Sequence, residues 1–174
     1  MVTPTLKRIS PEESEKLICL AEEIWLPAFA PYFDRKQLIA LFKGMYHPDL
    51  IKAQLADPAR TYHFIFCNTE NEKPDGYCAV VKEKTSMRID KVYVRKALRG
   101  QGTGTAVIRQ LLSCAAASGM KEASLRVNRQ NTAAVRLYLR LGFTIACEED
   151  FPAPDGYVYK DYVMVKRLEH RESP

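Results

Sequence analysis

Apolar residues recur along the chain with two different spacings, and the switches between them mark where strands give way to helices. Residues 6–9 suit a short edge strand. Ser10-Pro11-Glu12-Glu13 then supplies an N-cap, a proline at N1 and a glutamate at N3, which predicts a helix to about residue 25. Leu17, Ile18, Leu20, Ala21, Ile24 and Trp25 cover one broad face of it. Residues 26–33 carry two prolines and concentrate aromatics, which fits either a loop over a pocket or a proline-kinked connection packed on the core. Asp34 caps a second helix to about residue 46, His47-Pro48 interrupts it, and helical spacing resumes over 49–55.

Period-2 patterning follows. Residues 61–67 read as a strand, 68–75 as a polar turn, and 76–84 as the hairpin partner. Residues 86–94 form the central strand, β-branched and aromatic at Ile89, Val92, Tyr93 and Val94. Past Gly104 the period changes again. Val107, Ile108, Leu111, Leu112 and Ala115 fall at spacings of three and four, predicting an amphipathic helix over 102–118 that ends in a left-handed cap at Ser118-Gly119. Residues 123–127 form a strand that must run parallel to the central one, because a helix joins the two in a right-handed crossover. Asn131 caps a further helix, Tyr138 lies two turns in, and Gly142 closes it at C′. Residues 143–147 and 159–166 read as a terminal hairpin. Between them stand Glu148-Glu149-Asp150, a solvated turn on the plainest reading, and Pro152-Ala153-Pro154-Asp155-Gly156. The charged tail from residue 169 frays.

The pattern is that of a mixed α/β chain, and 174 residues at 47% hydrophobic content suit one domain with a substantial core. The net charge of +5 is compatible with an anionic ligand and says little more. No run of 18 apolar residues occurs and the first residues lack a signal-peptide layout, so a soluble cytoplasmic protein without a membrane partner is expected. Five scattered cysteines, Cys19, Cys67, Cys78, Cys114 and Cys147, are expected as buried free thiols. With His47, His63 and His170 far apart, no metal site is expected.

The candidate chemistry lies where the central strand feeds Arg99-Gly100-Gln101-Gly102-Thr103-Gly104-Thr105 and then a helix. The first amides of a helix have no partner inside it and carry the positive end of its dipole. Glycines at 100, 102 and 104 let a phosphate approach such amides, and Lys91, Arg95, Lys96 and Arg99 add charge. A nucleotide P-loop would end Gly-Lys-Ser/Thr, and a dinucleotide loop would place its third glycine at position 105, which is Thr. What remains is an anion site or a plain tight turn. Basic residues concentrated on one loop disfavour nucleic acid as a partner.

Arg99-x-x-Gly102-x-Gly104, preceded by Val92-Tyr93-Val94, resembles the pyrophosphate-binding motif of the GCN5-related N-acetyltransferase (GNAT) superfamily. Asn131-Thr132-Ala133-Ala134-Val135-Arg136-Leu137-Tyr138-Leu139-Arg140-Leu141-Gly142-Phe143 resembles that superfamily's next block, in the expected order. The resemblance implies a mixed, mostly antiparallel sheet of six to seven strands flanked by helices, with a parallel, splayed central pair. It implies acetyl-coenzyme A as acyl donor. By the same resemblance the pantetheine arm would lie against the backbone of Val92, Tyr93 and Val94, and the diphosphate on Arg99, Gly100, Gly102, Thr103, Gly104 and Thr105. Asn131 would contact the cofactor and Tyr138 would stand near its sulfur, although Asn131 as a simple cap and Tyr138 as a core aromatic are the plain alternatives.

Transfer to an amine needs an acid for the leaving thiolate and a base for the ammonium. Tyr138 is the candidate acid. Asp90, on the strand face shared with Val92 and Val94, is the first candidate base, with a solvated strand-end residue as the alternative. Ribosomal-protein N-terminal alanine acetyltransferases, which the two blocks also resemble, carry a glutamate base where this chain has Arg126. That departure lowers a protein N-terminus as acceptor. The resemblance makes the aromatics between the first two strands candidate acceptor contacts, and carboxylates at 148–150 would favour a cationic amine. The favoured expectation is an N-acetyltransferase acting on a small primary amine such as a polyamine. Protein lysine or N-terminal acetylation and a non-catalytic coenzyme A sensor are the alternatives, and the resemblance leaves a homodimer open.

Overall fold

The computed structural model describes residues 3–68, 73–152 and 158–169. The centre of the polar turn expected over 68–75, most of the proline-containing connection before residue 158, and the tail with His170 lie outside the described residues.

In chain order the elements are β1 (Thr5–Arg8), a 3-10 turn (Pro11–Glu13), α1 (Ser14–Phe29), α2 (Arg35–Met45), α3 (Pro48–Ala56), β2 (Arg60–Phe66), β3 (Gly76–Lys82) and β4 (Ser86–Val94). A second 3-10 turn (Lys96–Leu98), α4 (Thr103–Ala117), β5 (Glu122–Asn128), α5 (Thr132–Arg140), β6 (Thr144–Pro152) and β7 (Val158–Arg167) follow. The strands form a seven-stranded mixed sheet, mostly antiparallel, in the order β1-β2-β3-β4-β5-β7-β6. Its parallel pair is β4 with β5, in register from Ser86 opposite Glu122 to Ile89 opposite Leu125, as the crossover through α4 requires. By contacts the chain forms two compact units, Met1–Ala79 with Lys91–Gly104, and Val80–Asp90 with Thr105–Pro174.

In the first unit the apolar face of α1 (Leu17, Leu20, Ala21, Ile24, Trp25) is buried, as are Leu41 and Phe42 of α2, Ile51 of α3, Tyr62, Phe64 and Ile65 of β2, and Tyr77 and Cys78 of β3. The Ser10 amide donates to the Glu13 carboxylate at 3.1 Å, closing the helix entrance. The expectation that the helix stops near residue 25 is corrected, since α1 continues through Pro27 to Phe29. Proline removes a single donor, and stacking of Trp25 on Phe29 one turn later, 4.5 Å between centroids, holds the last turn. Phe29 is in turn ringed by Tyr32 and Phe33, each 6.4 Å away. Asp34 caps α2 as expected, accepting from the Gln37 amide at 2.9 Å.

In the second unit Val107, Ile108, Leu111, Leu112 and Ala115 form the buried stripe of α4, and Ala123, Leu125, Val127, Phe143 and Met164 are also buried. Both α4 and α5 end in Schellman caps. Gly119 and Gly142 have φ of 78° and 85°, and the amides of Met120 and Phe143 each donate at 3.0 Å to the carbonyls of Ala115 and Tyr138.

Glu148, Glu149 and Asp150 form no turn. They lie inside β6, paired with Tyr162, Asp161 and Lys160 of β7, because the hairpin extends further than its apolar residues alone signal. The expectation of buried thiols holds for Cys78, whereas Cys67 is half-buried and Cys19, Cys114 and Cys147 are exposed. Among the described residues no helix is long and apolar enough to cross a membrane.

Candidate active site

The glycine loop begins where β4 ends. Gly100 and Gly102 have φ of 77° and 86°, a left-handed backbone that side chains disfavour, so these two glycines make the turn. Gly104 is different. A Cβ there, as at Gly100, would meet no protein atom within 4 Å, leaving open space over the first turn of α4. Such a cradle fits a phosphate group held by helix N-terminal amides.

The turn is held on its inner side. Arg99 Nε donates to the Val94 carbonyl at 3.2 Å and Gln101 Nε2 to the Ala97 carbonyl at 2.6 Å. The Arg95 amide donates to the Asp75 carbonyl at 2.8 Å, and its side chain donates to the Pro74 carbonyl at 3.1 Å and to Glu23 at 2.6 Å. At the other end of the loop, buried Thr103 accepts from the Cys67 thiol at 4.0 Å. Burial raises that thiol's pKa, so it stays protonated. Of the four basic residues expected to add charge, Arg95 is thus committed to structure and Lys91 lies over the Tyr62 ring at 5.9 Å. Lys96 and Arg99 are exposed.

Val92, Tyr93 and Val94 are half-buried at the end of β4. The Tyr93 ring meets Tyr77 at 5.4 Å and the edge of Phe29 at 6.3 Å. Behind it the hydroxyls of Tyr46 and Tyr77 share a buried hydrogen bond of 2.5 Å. Burial, with neighbouring phenols, pushes both well above the ordinary phenol value, so both are neutral. Tyr46 falls among the aromatics between the first two strands that the resemblance makes candidate acceptor contacts, whereas Tyr77 carries no such mark, since nothing in the periodicity distinguishes a functional phenol from a core one.

The remaining sequence-derived candidates, Asp90, Thr105, Asn131 and Tyr138, belong to the second unit. Asn131 caps α5, its side-chain oxygen accepting from the Ala134 amide at 3.2 Å, which leaves the NH2 group of this exposed residue as a donor not used by the cap. Tyr138 is fixed by the Schellman cap that its own carbonyl accepts and by the Phe143 ring at 5.9 Å. Its hydroxyl has no hydrogen-bond partner among the described residues, and burial pushes its pKa up to about 12. It is therefore a proton donor at any physiological pH.

Asp90 is 17% exposed and lies 3.4 Å from Arg88, which also approaches Glu83 at 3.8 Å. Arg126 pairs with Glu149 at 2.8 Å and covers the Phe151 ring at 5.3 Å, while Arg129 binds both Glu148 and Asp150. The acidic run is therefore largely neutralised by arginines of its own unit. A carboxylate missed from sequence stands beside it. Asp161 of β7 faces Asn128 and Glu149 in the flanking strands. Burial raises its pKa and Glu149 adds to this, against the opposing effects of Arg126, the Asn128 hydrogen bond and Arg129.

The model of the acetyltransferase (GNAT) family matches residues 21–143. An uncharacterized N-acetyltransferase of Methanocaldococcus jannaschii is 31% identical over 87 residues, 46% of this chain and 38% of that protein, so the match spans well under half of the relative's length. The PaiA N-acetyltransferase of Thermoplasma acidophilum, solved in complex with coenzyme A, superposes with a TM-score of 0.76 at 16% identity, covering 94% of this chain and 98% of that one. A spermidine N-acetyltransferase chimera from Vibrio cholerae and hSSAT gives a TM-score of 0.71 at 17% identity, covering 95% and 96%. The two structures establish a shared fold, and the family match takes in the strand, the glycine loop and the Tyr138 helix. The chain therefore belongs to the acetyltransferase (GNAT) family of N-acetyltransferases, whose acyl donor is acetyl-coenzyme A.

Proposed function

We propose that the chain, as one catalytic domain over residues 1–174, transfers the acetyl group of acetyl-coenzyme A directly to a primary amine of a small molecule such as a polyamine. The observation that carries this reading is Tyr138, a protonated phenol whose hydroxyl has no partner among the described residues, set by its cap and its Phe143 contact. Bound acetyl-coenzyme A supplies an activated thioester. Thr103, Gly104 and Thr105 offer helix N-terminal amides to its diphosphate, with Arg99 alongside and glycines 100 and 102 shaping the turn. Val92, Tyr93 and Val94 offer backbone to the pantetheine arm, and the NH2 of Asn131, which the cap does not use, offers a further donor.

As the amine nitrogen bonds to the acetyl carbon, the carbon–sulfur bond breaks and Tyr138 gives its proton to the departing sulfur. The proton lost by the ammonium goes to a carboxylate. Asp90 is one candidate, with the Arg88 guanidinium 3.4 Å away. Asp161, whose carboxyl burial raises and which lies between Asn128 and Glu149, is the second candidate. The spermidine-acetylating neighbour supports a polyamine as the first acceptor to test.

The test follows acetyl-coenzyme A consumption with a panel of spermidine, an arylalkylamine, lysine and a lysine-containing peptide. Acetylation of a small amine well ahead of the peptide is expected. Faster peptide acetylation would move the acceptor to protein, and tight coenzyme A binding without turnover on any amine would replace the enzyme with a sensor.

A further inference from the structure

The first residue of β3 is a glycine to which the acetyl-transfer reading assigns no part. A Cβ on Gly76 would lie 2.3 Å from the Tyr93 carbonyl oxygen, 3.0 Å from Val94 Cα and 3.2 Å from the Tyr93 carbonyl carbon. All three are backbone atoms, so no side-chain rotation relieves the overlap. Gly76 is not among the glycines with positive φ, so the demand here is for space and not for a special backbone conformation.

The same junction is tied down on either side. The Arg95 amide donates to the Asp75 carbonyl at 2.8 Å, and the Cys67 amide donates to the Asp75 carboxylate at 2.7 Å. With these bonds in place the start of β3 cannot simply retreat, and an added methyl group must displace the Tyr93–Val94 peptide. That peptide is trans, as are the others described. In a planar trans peptide the C=O and the following N–H point in opposite directions. A Tyr93 carbonyl lying over Gly76 therefore turns the Val94 N–H away from β3, toward the opposite edge of β4.

We propose that Gly76 is a positioning residue for the acyl donor: its missing side chain seats the Tyr93 carbonyl and so aims the Val94 N–H at a carbonyl of the bound donor. The proposal rests on the acetyl-transfer reading and adds to it a residue that touches neither substrate.

The test compares Gly76→Ala with Ile51→Val, a core change in α3 of the same unit that removes one buried methyl group. Gly76→Ala should raise KM for acetyl-coenzyme A and weaken coenzyme A binding at least tenfold, with KM for the amine changed less than threefold. Ile51→Val should lower the melting temperature and leave both constants alone. A Gly76→Ala protein that melts lower yet binds and turns over like the parent would reduce Gly76 to packing and overturn the proposal. Should that variant fail to fold, the parent alone decides by NMR. Saturating coenzyme A should shift the Val94 amide proton downfield, and an unmoved Val94 in a protein that binds coenzyme A defeats the Gly76 assignment by itself. Absence of any coenzyme A binding to the parent defeats it together with the acetyl-transfer reading.

Discussion

Replacing Tyr138 with phenylalanine removes one oxygen and keeps the ring. The ring's contact with Phe143 at 5.9 Å and the cap bond to the Tyr138 carbonyl are both retained, and the lost hydroxyl has no partner among the described residues. Stability at neutral pH should therefore be unchanged. At high pH the two proteins should separate. Burial raises the phenol from 10.0 to about 12. A raised acid costs nothing below its unfolded value and destabilises the fold as pH climbs toward its folded value, here by about 3 kcal/mol in all and about 1.4 kcal/mol by about pH 11. Urea unfolding at neutral pH and near pH 11 should show the variant losing less stability than the parent by that amount. Activity should behave oppositely. Loss of a general acid lowers kcat by about 10²- to 10⁴-fold, or roughly 3–5 kcal/mol of barrier, with coenzyme A affinity unchanged. Because Cys19, Cys114 and Cys147 are exposed and would consume a thiol reagent, loss of thioester absorbance is the cleaner readout. A phenylalanine variant with parental kcat would refute the acid assignment, and equal alkaline stability would refute the raised phenol.

Three further outcomes are expected. Asp161→Asn should abolish the acid limb of the kcat/KM profile, whereas Asp90→Asn should leave that limb in place; the reverse result would return the base to Asp90. Because Asp161 is raised, its ionisation opposes folding above its unfolded value, so Asp161→Asn should also melt no lower than the parent at neutral pH, with any gain vanishing in acid. Asn131→Ala should cost about 1 kcal/mol through the lost cap and also weaken coenzyme A binding, measured by calorimetry beside chemical denaturation. A stability loss without a change in affinity would leave Asn131 as a cap alone.

Features whose cause lies within one turn of the chain were legible in the sequence. The glycine loop, the Asp34 and Asn131 caps, the left-handed residues at Gly119 and Gly142 and the buried stripe of α4 each follow from neighbours three or four residues apart. What escaped depends on residues brought together from distant segments. Pro27 reads as a breaker until Trp25 is seen stacked on Phe29 in the core. Glu148, Glu149 and Asp150 read as a turn until β7 and two arginines meet them. Arg95 reads as charge for a ligand until Glu23 and the Pro74 carbonyl claim it. Asp161 is an unremarkable acid in sequence, and its neighbours Asn128 and Glu149 come from two other strands.

The division into two compact units cuts across the covalent order. The chain passes from one unit to the other after Ala79, after Asp90 and after Gly104, so neither unit is a contiguous stretch. A fragment stopping at Gly104 would keep the glycine turn but strip Ser86 to Ile89 of β5, the strand they pair with, and expose that edge to foreign partners. Dissecting this enzyme by truncation would thus yield sticky pieces and no autonomous half.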